Sequence, residues 1–226
     1  MPTINAGKTG VLQGGANADF ATARSTGTTL ISTNPTSANA SAIGYIFSAT
    51  RGSGVHLIRR VYVYFDVSSH TGTISNVVLN IAGDTQANAT VRVVPSANAF
   101  GGDGSSDIAL SEYFAGLDFS NPYNDSAASW STGTNNLALN SDAASDIQNN
   151  NAFILALVQA DNDFANSASG TGVSLFSGIA FSTTITLTFD EASAGYSHSV
   201  IGVAPANIGK VNALATANIG KINTLD

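Results

Sequence analysis

Apolar and polar positions alternate with a period of two over much of this chain, and the pattern is clearest at residues 61–67. There Val61, Val63, Phe65 and Val67 fall on one parity, and Tyr62, Tyr64 and Asp66 on the other. A strand with one aliphatic and one amphipathic face predicts a sheet packed on a second sheet, aliphatic side inward. Further strands are predicted at 43–47, 57–67, 75–82, 89–94, 152–158, 172–176 and 183–190. In the fifth of these Phe153, Leu155 and Leu157 share a face, and in the last Ile185, Leu187 and Phe189 alternate with threonines. Short apolar pieces at 10–13 and 28–32 predict one or two short strands that join the sandwich from an otherwise irregular entry segment, 1–42. Helical signal is sparse: 106–114, with Ser106 or Asp107 as cap, and 140–147, with Asn140 as N-cap.

Seven or eight strands joined by long polar connections predict an all-β chain, a two-sheet antiparallel β-sandwich of jelly-roll type. The sandwich is expected over 43–191, with extended arms at 1–42 and 192–226. The C-terminal arm carries a repeat: residues 206–212, A-N-I-G-K-V-N, recur eleven positions later at 217–223 as A-N-I-G-K-I-N. An eleven-residue period would suit a right-handed supercoil if the segment were helical. Pro205, Gly209, Gly220 and four asparagines oppose a helix. The arm is therefore expected to lie extended against a neighbouring subunit, using Ile208, Val211, Leu214, Ile219, Ile222 and Leu225. Their spacing of three suits a threefold bundle, so a homo-trimer is the expected assembly.

Composition narrows the function. The 226 residues include no cysteine, which excludes disulfides, thiol nucleophiles and thiolate metal sites. The net charge is −7, and no basic residue lies between Arg92 and Lys210, so phosphate-backbone binding to nucleic acid is not expected. No apolar run is long enough for a membrane helix, and residues 1–8 lack the basic start and apolar core of a secretory signal. A chain of Ser, Thr, Asn, Gly and Ala with few Lys and Glu nevertheless reads as an outward-facing β-protein. A virion protein, made in a host cytoplasm without a signal peptide, reconciles the two.

Catalytic chemistry is thinly supplied. His56, His70 and His198 fall in a turn, a strand-end loop and the tail linker, no G-x-S-x-G elbow occurs, and the only glutamates are Glu112 and Glu191. A non-enzymatic protein without a cofactor is expected. Asp161, Asp163 and Asn166, and the glycine-rich loop 101–107, read first as plain turns; structural calcium is the one metal whose ligands they could supply. Tyr113, Phe119, Tyr123 and Trp130 cluster in one insertion and offer either a stacking platform for a glycan or packing at a sandwich end or subunit interface. Arg59 and Arg60 must point to opposite faces of their strand. One is expected to pair with an acid such as Asp66 or Asp84 and the other to be exposed.

The run 60–69, R-V-Y-V-Y-F-D-V-S-S, followed by 72–81, G-T-I-S-N-V-V-L-N-I, resembles the R-x-x-x-x-F-D-[LV]-S-S … I-x-x-A-x-L-x-[LI] core of DNRLRE-type, carbohydrate-module-like jelly rolls. Residues 137–140, 153–157, 178–181 and 185–189 look like later strands of that fold. Such domains occur in bacterial surface proteins and phage structural proteins. The A-N-I-G-K-V-N tail is similar to the ends of structural proteins of tailed phages, although Ala213 and Thr224 stand where a glycine often follows the asparagine. The resemblance implies a non-enzymatic bacteriophage virion structural protein: a capsid decoration, head-fibre or tail-associated component, with other virion proteins as partners. The alternative is a carbohydrate-binding or adhesive module of a bacterial or phage surface protein.

Overall fold

A computed structural model describes residues 1–17, 19–33, 41–50, 53–84, 89–169, 172–192, 210–211 and 214–215. In chain order the elements are β1 (Thr3–Asn5), β2 (Lys8–Asn17), α1 (Phe20–Ser25), β3 (Gly27–Thr33), β4 (Ser41–Thr50), β5 (Ser53–Asp66), β6 (Thr73–Gly83) and β7 (Val91–Pro95). They continue with β8 (Gly133–Ala138), α2 (Ser141–Asn149), β9 (Ala152–Gln159), β10 (Val173–Gly178), β11 (Thr186–Ala192), β12 (Lys210–Val211) and β13 (Leu214–Ala215).

Two antiparallel sheets pack together as an all-β sandwich. The smaller runs β1-β11-β6-β8, so the last strand of the body lies beside the first. The larger runs β10-β4-β5-β2-β3, with β9 also on β5 and β7 on β9. The fourteen-residue β5 organises this sheet. One of its edges is covered by β2, from Lys8↔Tyr64 to Asn17↔His56. Its other edge is shared: β4 pairs as far as Gly44↔Arg59, and β9 takes over at Val61↔Leu157. Arg60 stands at the fork.

The aliphatic parity of β5 enters the sandwich core as its pattern requires. Val61, Val63 and Phe65 join Val77, Leu79 and Ile81 of β6, Leu155 and Leu157 of β9, and Leu187 and Phe189 of β11. Each is essentially solvent-free, and full burial of such a side chain stabilises by about 1.5–3 kcal/mol. The α2 helix closes one edge. Asn140 caps it as expected, its side-chain oxygen accepting from the Asp142 and Ala143 amides, while Ala143 and Ile147 are buried.

Three features differ from the sequence expectations. The entry segment joins the sandwich, but with more than short strands: β2 is ten residues long and interior to the large sheet, β3 lies beside it, and β1 belongs to the small sheet. Residues 106–114 form no helix beyond a single 3-10 turn, Leu110–Glu112. The Glu112 carboxylate is drawn to the amides of Gly101 and Ala109 instead, and Ile108 and Tyr113 are pulled onto the sheet. The six-residue α1 is unforeseen; Asp19 caps it by accepting from the Thr22 amide at 2.9 Å. In the C-terminal arm Val211 and Leu214 pair with each other across the β12–β13 hairpin. Ile208, Ile219, Ile222 and Leu225 lie outside the described residues.

Candidate functional site

The outward parity of β5 carries His56, Ile58, Arg60, Tyr62 and Tyr64. A half-polar strand face normally meets water. From His56 to Tyr62 it does not, because α1, the connection 96–119 and the turn 160–164 lie across it and build a second core with Leu12, Tyr45, Ile58, Tyr62, Phe100, Ile108 and Tyr113, with Tyr64 half-buried at its margin. Glycines on the neighbouring strands make this approach possible. A Cβ on Gly14 would collide with the Ala23 carbonyl oxygen and the Tyr113 hydroxyl, and one on Gly10 with the Ile108 side chain.

Arg60 is the centre of this layer and is 0% exposed. Its Nε and NH2 donate to the two Asp163 carboxylate oxygens at 2.8 and 2.7 Å, a bidentate pair. NH1 donates to the Tyr113 carbonyl at 2.7 Å, and NH2 also to the Arg24 carbonyl at 2.8 Å. One guanidinium thereby ties together α1, the 96–119 connection and the 160–164 turn. That turn is a single π-helical one, Ala160–Phe164, capped by Gln159, whose Oε1 accepts from the Asn162 and Asp163 amides. Tyr62 also donates to the Tyr113 carbonyl. Arg24 adds a second cation, its Nε donating to the Asp163 carbonyl at 2.7 Å and its guanidinium lying 4.4 Å from the Phe119 ring centre.

The electrostatics of the cluster are fixed. Burial opposes the charge on Arg60, but the Asp163 carboxylate more than offsets it and the guanidinium titrates above its ordinary range. Burial pushes the Tyr62 and Tyr113 hydroxyls up as well. A solvent-free cluster whose arginine and tyrosines stay protonated is suited to holding segments in place rather than to moving protons.

Two other groupings reach the surface. His70 Nδ1 and Glu191 Oε2 are 2.8 Å apart, and the other Glu191 oxygen accepts from the Thr71 and Gly72 amides. The His70 hydrogen bond and these amides hold the Glu191 carboxyl below its usual range. The stability it contributes is present above the unfolded-state value and lost as pH falls through the folded one. Among the described residues no hydroxyl is bonded to His70, so the pair pins the β5–β6 loop to β11.

The second is a cleft of about 390 Å³ at the ends of β7, β9 and α2, with Pro95, Ser96, Asp103, Tyr123, Asp146 and Phe153 in its walls. Tyr123 donates to Asp146 Oδ2 at 2.6 Å. Burial and this bond raise the Tyr123 hydroxyl.

The residues singled out by sequence are distributed differently from expectation. Tyr113, Tyr123 and Trp130 are 1%, 3% and 5% exposed, so none offers a ring face to a sugar. Trp130 donates its indole N–H to the Gly178 carbonyl at 3.1 Å. Phe119 is half-buried between Phe114, Phe164 and Arg24. The packing alternative describes all four. The calcium alternative at Asp161, Asp163 and Asn166 fails on charge, because both Asp163 oxygens hold Arg60, and a cation there would have to displace a guanidinium. Asp161 instead accepts from Thr90 and Gln159, and Asn166 is an exposed turn residue with φ of 51°. Arg59 and Arg60 do take opposite faces, but the acid is Asp163, and Arg59 is half-buried with its Nε on Gln13.

No family model matches this chain, and no curated protein matches it.

Proposed function

We propose that this chain is a non-enzymatic structural protein of a bacteriophage virion, a capsid decoration, head-fibre or tail-associated component that works by subunit assembly. The observation that carries the reading is the outward face of the small sheet. Two rows cross it, Asn5–Thr186–Asn80–Asn136 and Thr3–Thr188–Val78–Ala138, with no charged residue in either, and the carboxylate that follows them on β11, Asp190, accepts from Asn76 Nδ2 at 2.7 Å. Short, uncharged side chains on a sheet let another surface approach without desolvating ions. The repeat-bearing segment that follows β11 supplies a second contact element, and its likeness to phage structural tails supports the virion setting.

The test is the solution mass of the full chain and of a truncation ending at Ala194, by light scattering over a range of concentrations. Both sheets end by Ala192, so the truncated body keeps every strand of the sandwich. A full chain that is a trimer or larger beside a folded monomeric truncation supports assembly through the arm. Two monomers reject it. An adhesive module, the other reading, would have to bind glycans away from Tyr113, Tyr123 and Trp130, since all three are interior.

A further inference from the structure

We propose that the cleft beside Tyr123 receives the lysine side chains of the A-N-I-G-K-[VI]-N repeats from the C-terminal segment of a neighbouring copy. The inference rests on the assembly reading and gives it a socket. Asp103 and Asp146 line the cleft, and neither is in an ion pair among the described residues; Asp103 Oδ1 accepts from the Ser105 amide at 2.8 Å. The Tyr123 hydroxyl occupies Asp146 Oδ2 and leaves Oδ1 without a partner among the described residues. Asp118 and Asp142 lie close enough to act on the same Tyr123 hydroxyl, and the cation on the body side is Lys8, which acts on Asp103 while bonded to Asp107 and the Ser106 carbonyl. Ser96, in the wall, is 1% exposed and its hydroxyl has no hydrogen-bond partner. Pro95, Tyr123 and Phe153 supply apolar wall. Such a socket fits an ammonium group on an aliphatic stem.

The chain carries that chemistry in its own tail. Lys210 and Lys221 are the only basic residues after Arg92, and each occupies the fifth position of a repeat unit. Residues 193–226 hold these two lysines against a single acid, Asp226, so the negative balance of the protein lies in residues 1–192. Seventeen residues separate Ala192 from Lys210, a reach of up to about 55–60 Å when extended, enough to leave the parent body. A single lysine would serve a contact within one chain. Two units eleven residues apart can each enter a different cleft and bridge subunits, with the second engagement favoured by the first.

The experiment compares the full-length wild type with Lys210→Ala/Lys221→Ala and with Asp103→Asn/Asp146→Asn, by light scattering against concentration and salt. The asparagines keep an oxygen acceptor for the Ser105 amide and the Tyr123 hydroxyl, and both lysines follow Ala192, where the strands of the two sheets end. Wild type is expected to associate, more weakly as salt rises, and each double variant to lose on the order of tenfold or more in association. Mixing the two variants under distinguishable tags is expected to restore hetero-association, because one keeps the cleft and the other the lysines. Wild-type association that the asparagine variant leaves unchanged overturns the socket and spares the assembly reading. Loss in both variants without hetero-association on mixing assigns the contact to one chain and overturns exchange between copies. A wild type that stays monomeric throughout overturns both.

Discussion

The outward faces of the two sheets obey the same alternation and end in opposite states. On the small sheet the outward positions are short and polar or small, such as Thr186, Thr188, Asn80, Asn136 and Ala138, and no part of the described chain folds over them. They bond sideways to one another, as Asn80 Nδ2 does to Thr188 Oγ1 at 3.2 Å. On the large sheet the outward positions mix extremes: glycine at 10 and 14, against Arg60, Tyr62 and Tyr64. Missing side chains create hollows, long ones reach across them, and three connecting segments fill the relief. Alternation thus determines which residues leave the sandwich core, while the height and polarity of those residues determine whether they meet water or a further layer.

This contrast can be broken by substitution. The largest effect is expected from Arg60→Ala, which leaves the buried Asp163 carboxylate only the Arg24 guanidinium, 3.5 Å away, and unties three segments. A loss of roughly 3–5 kcal/mol in unfolding free energy is expected from urea titration. Gly14→Ala comes next, since the added methyl must push Tyr113 and α1 off the sheet; overpacking of this kind costs about 1–3 kcal/mol. Acid is expected to loosen the covered face through His56, whose ring is buried among Phe20, Tyr45 and Phe47 and whose Nδ1 lies 2.9 Å from the Tyr45 hydroxyl. Burial lowers its pKa from 6.5, with Asp19 opposing. The unfolded chain therefore takes up the proton first, and stability is lost as pH falls from the unfolded value through the folded one. Comparing the urea midpoints of wild type and His56→Gln between pH 7 and 5 isolates this part, which the variant should lack. The smallest effect belongs to the bare face: Thr188→Ala and Asn136→Ala are each expected to stay within about 0.5 kcal/mol of wild type. A larger loss in the isolated protein would mean that this face is not free.

The sandwich was legible because period-two alternation is local. Val61 to Val67 and Ile185 to Phe189 announce their inward faces without reference to any other segment, and Asn140 announces a helix start. The covering layer was not legible. Arg60 and Asp163 are 103 positions apart, and nothing near either names the other. One signal was available: an arginine on the outward parity in mid-strand, flanked by tyrosines, needs an anion if that face is covered. Short β1 and α1 carry too few residues to show a period, and α1 depends on the Asp19 cap and the sheet beneath Ala23. The aromatics of 113–130 were recognised as a group, but a tyrosine aimed at solvent and one aimed at a core look alike until the partner surface is known. Asp161 and Asp163 stayed open between turn and cation for the same reason, since closely spaced oxygens suit a turn, a cation or an arginine equally.

The position of β11 has a mechanical consequence. It is not an edge strand: β1 is laddered to one side of it and β6 to the other, and Glu191 fastens the adjoining loop. A pull on the chain beyond Ala192, directed along the strand, would load both ladders together in shear, whereas an edge strand could be peeled bond by bond. If the tail is a tether, its anchorage is of the kind that resists tension, and the body would hold its shape while the load is borne.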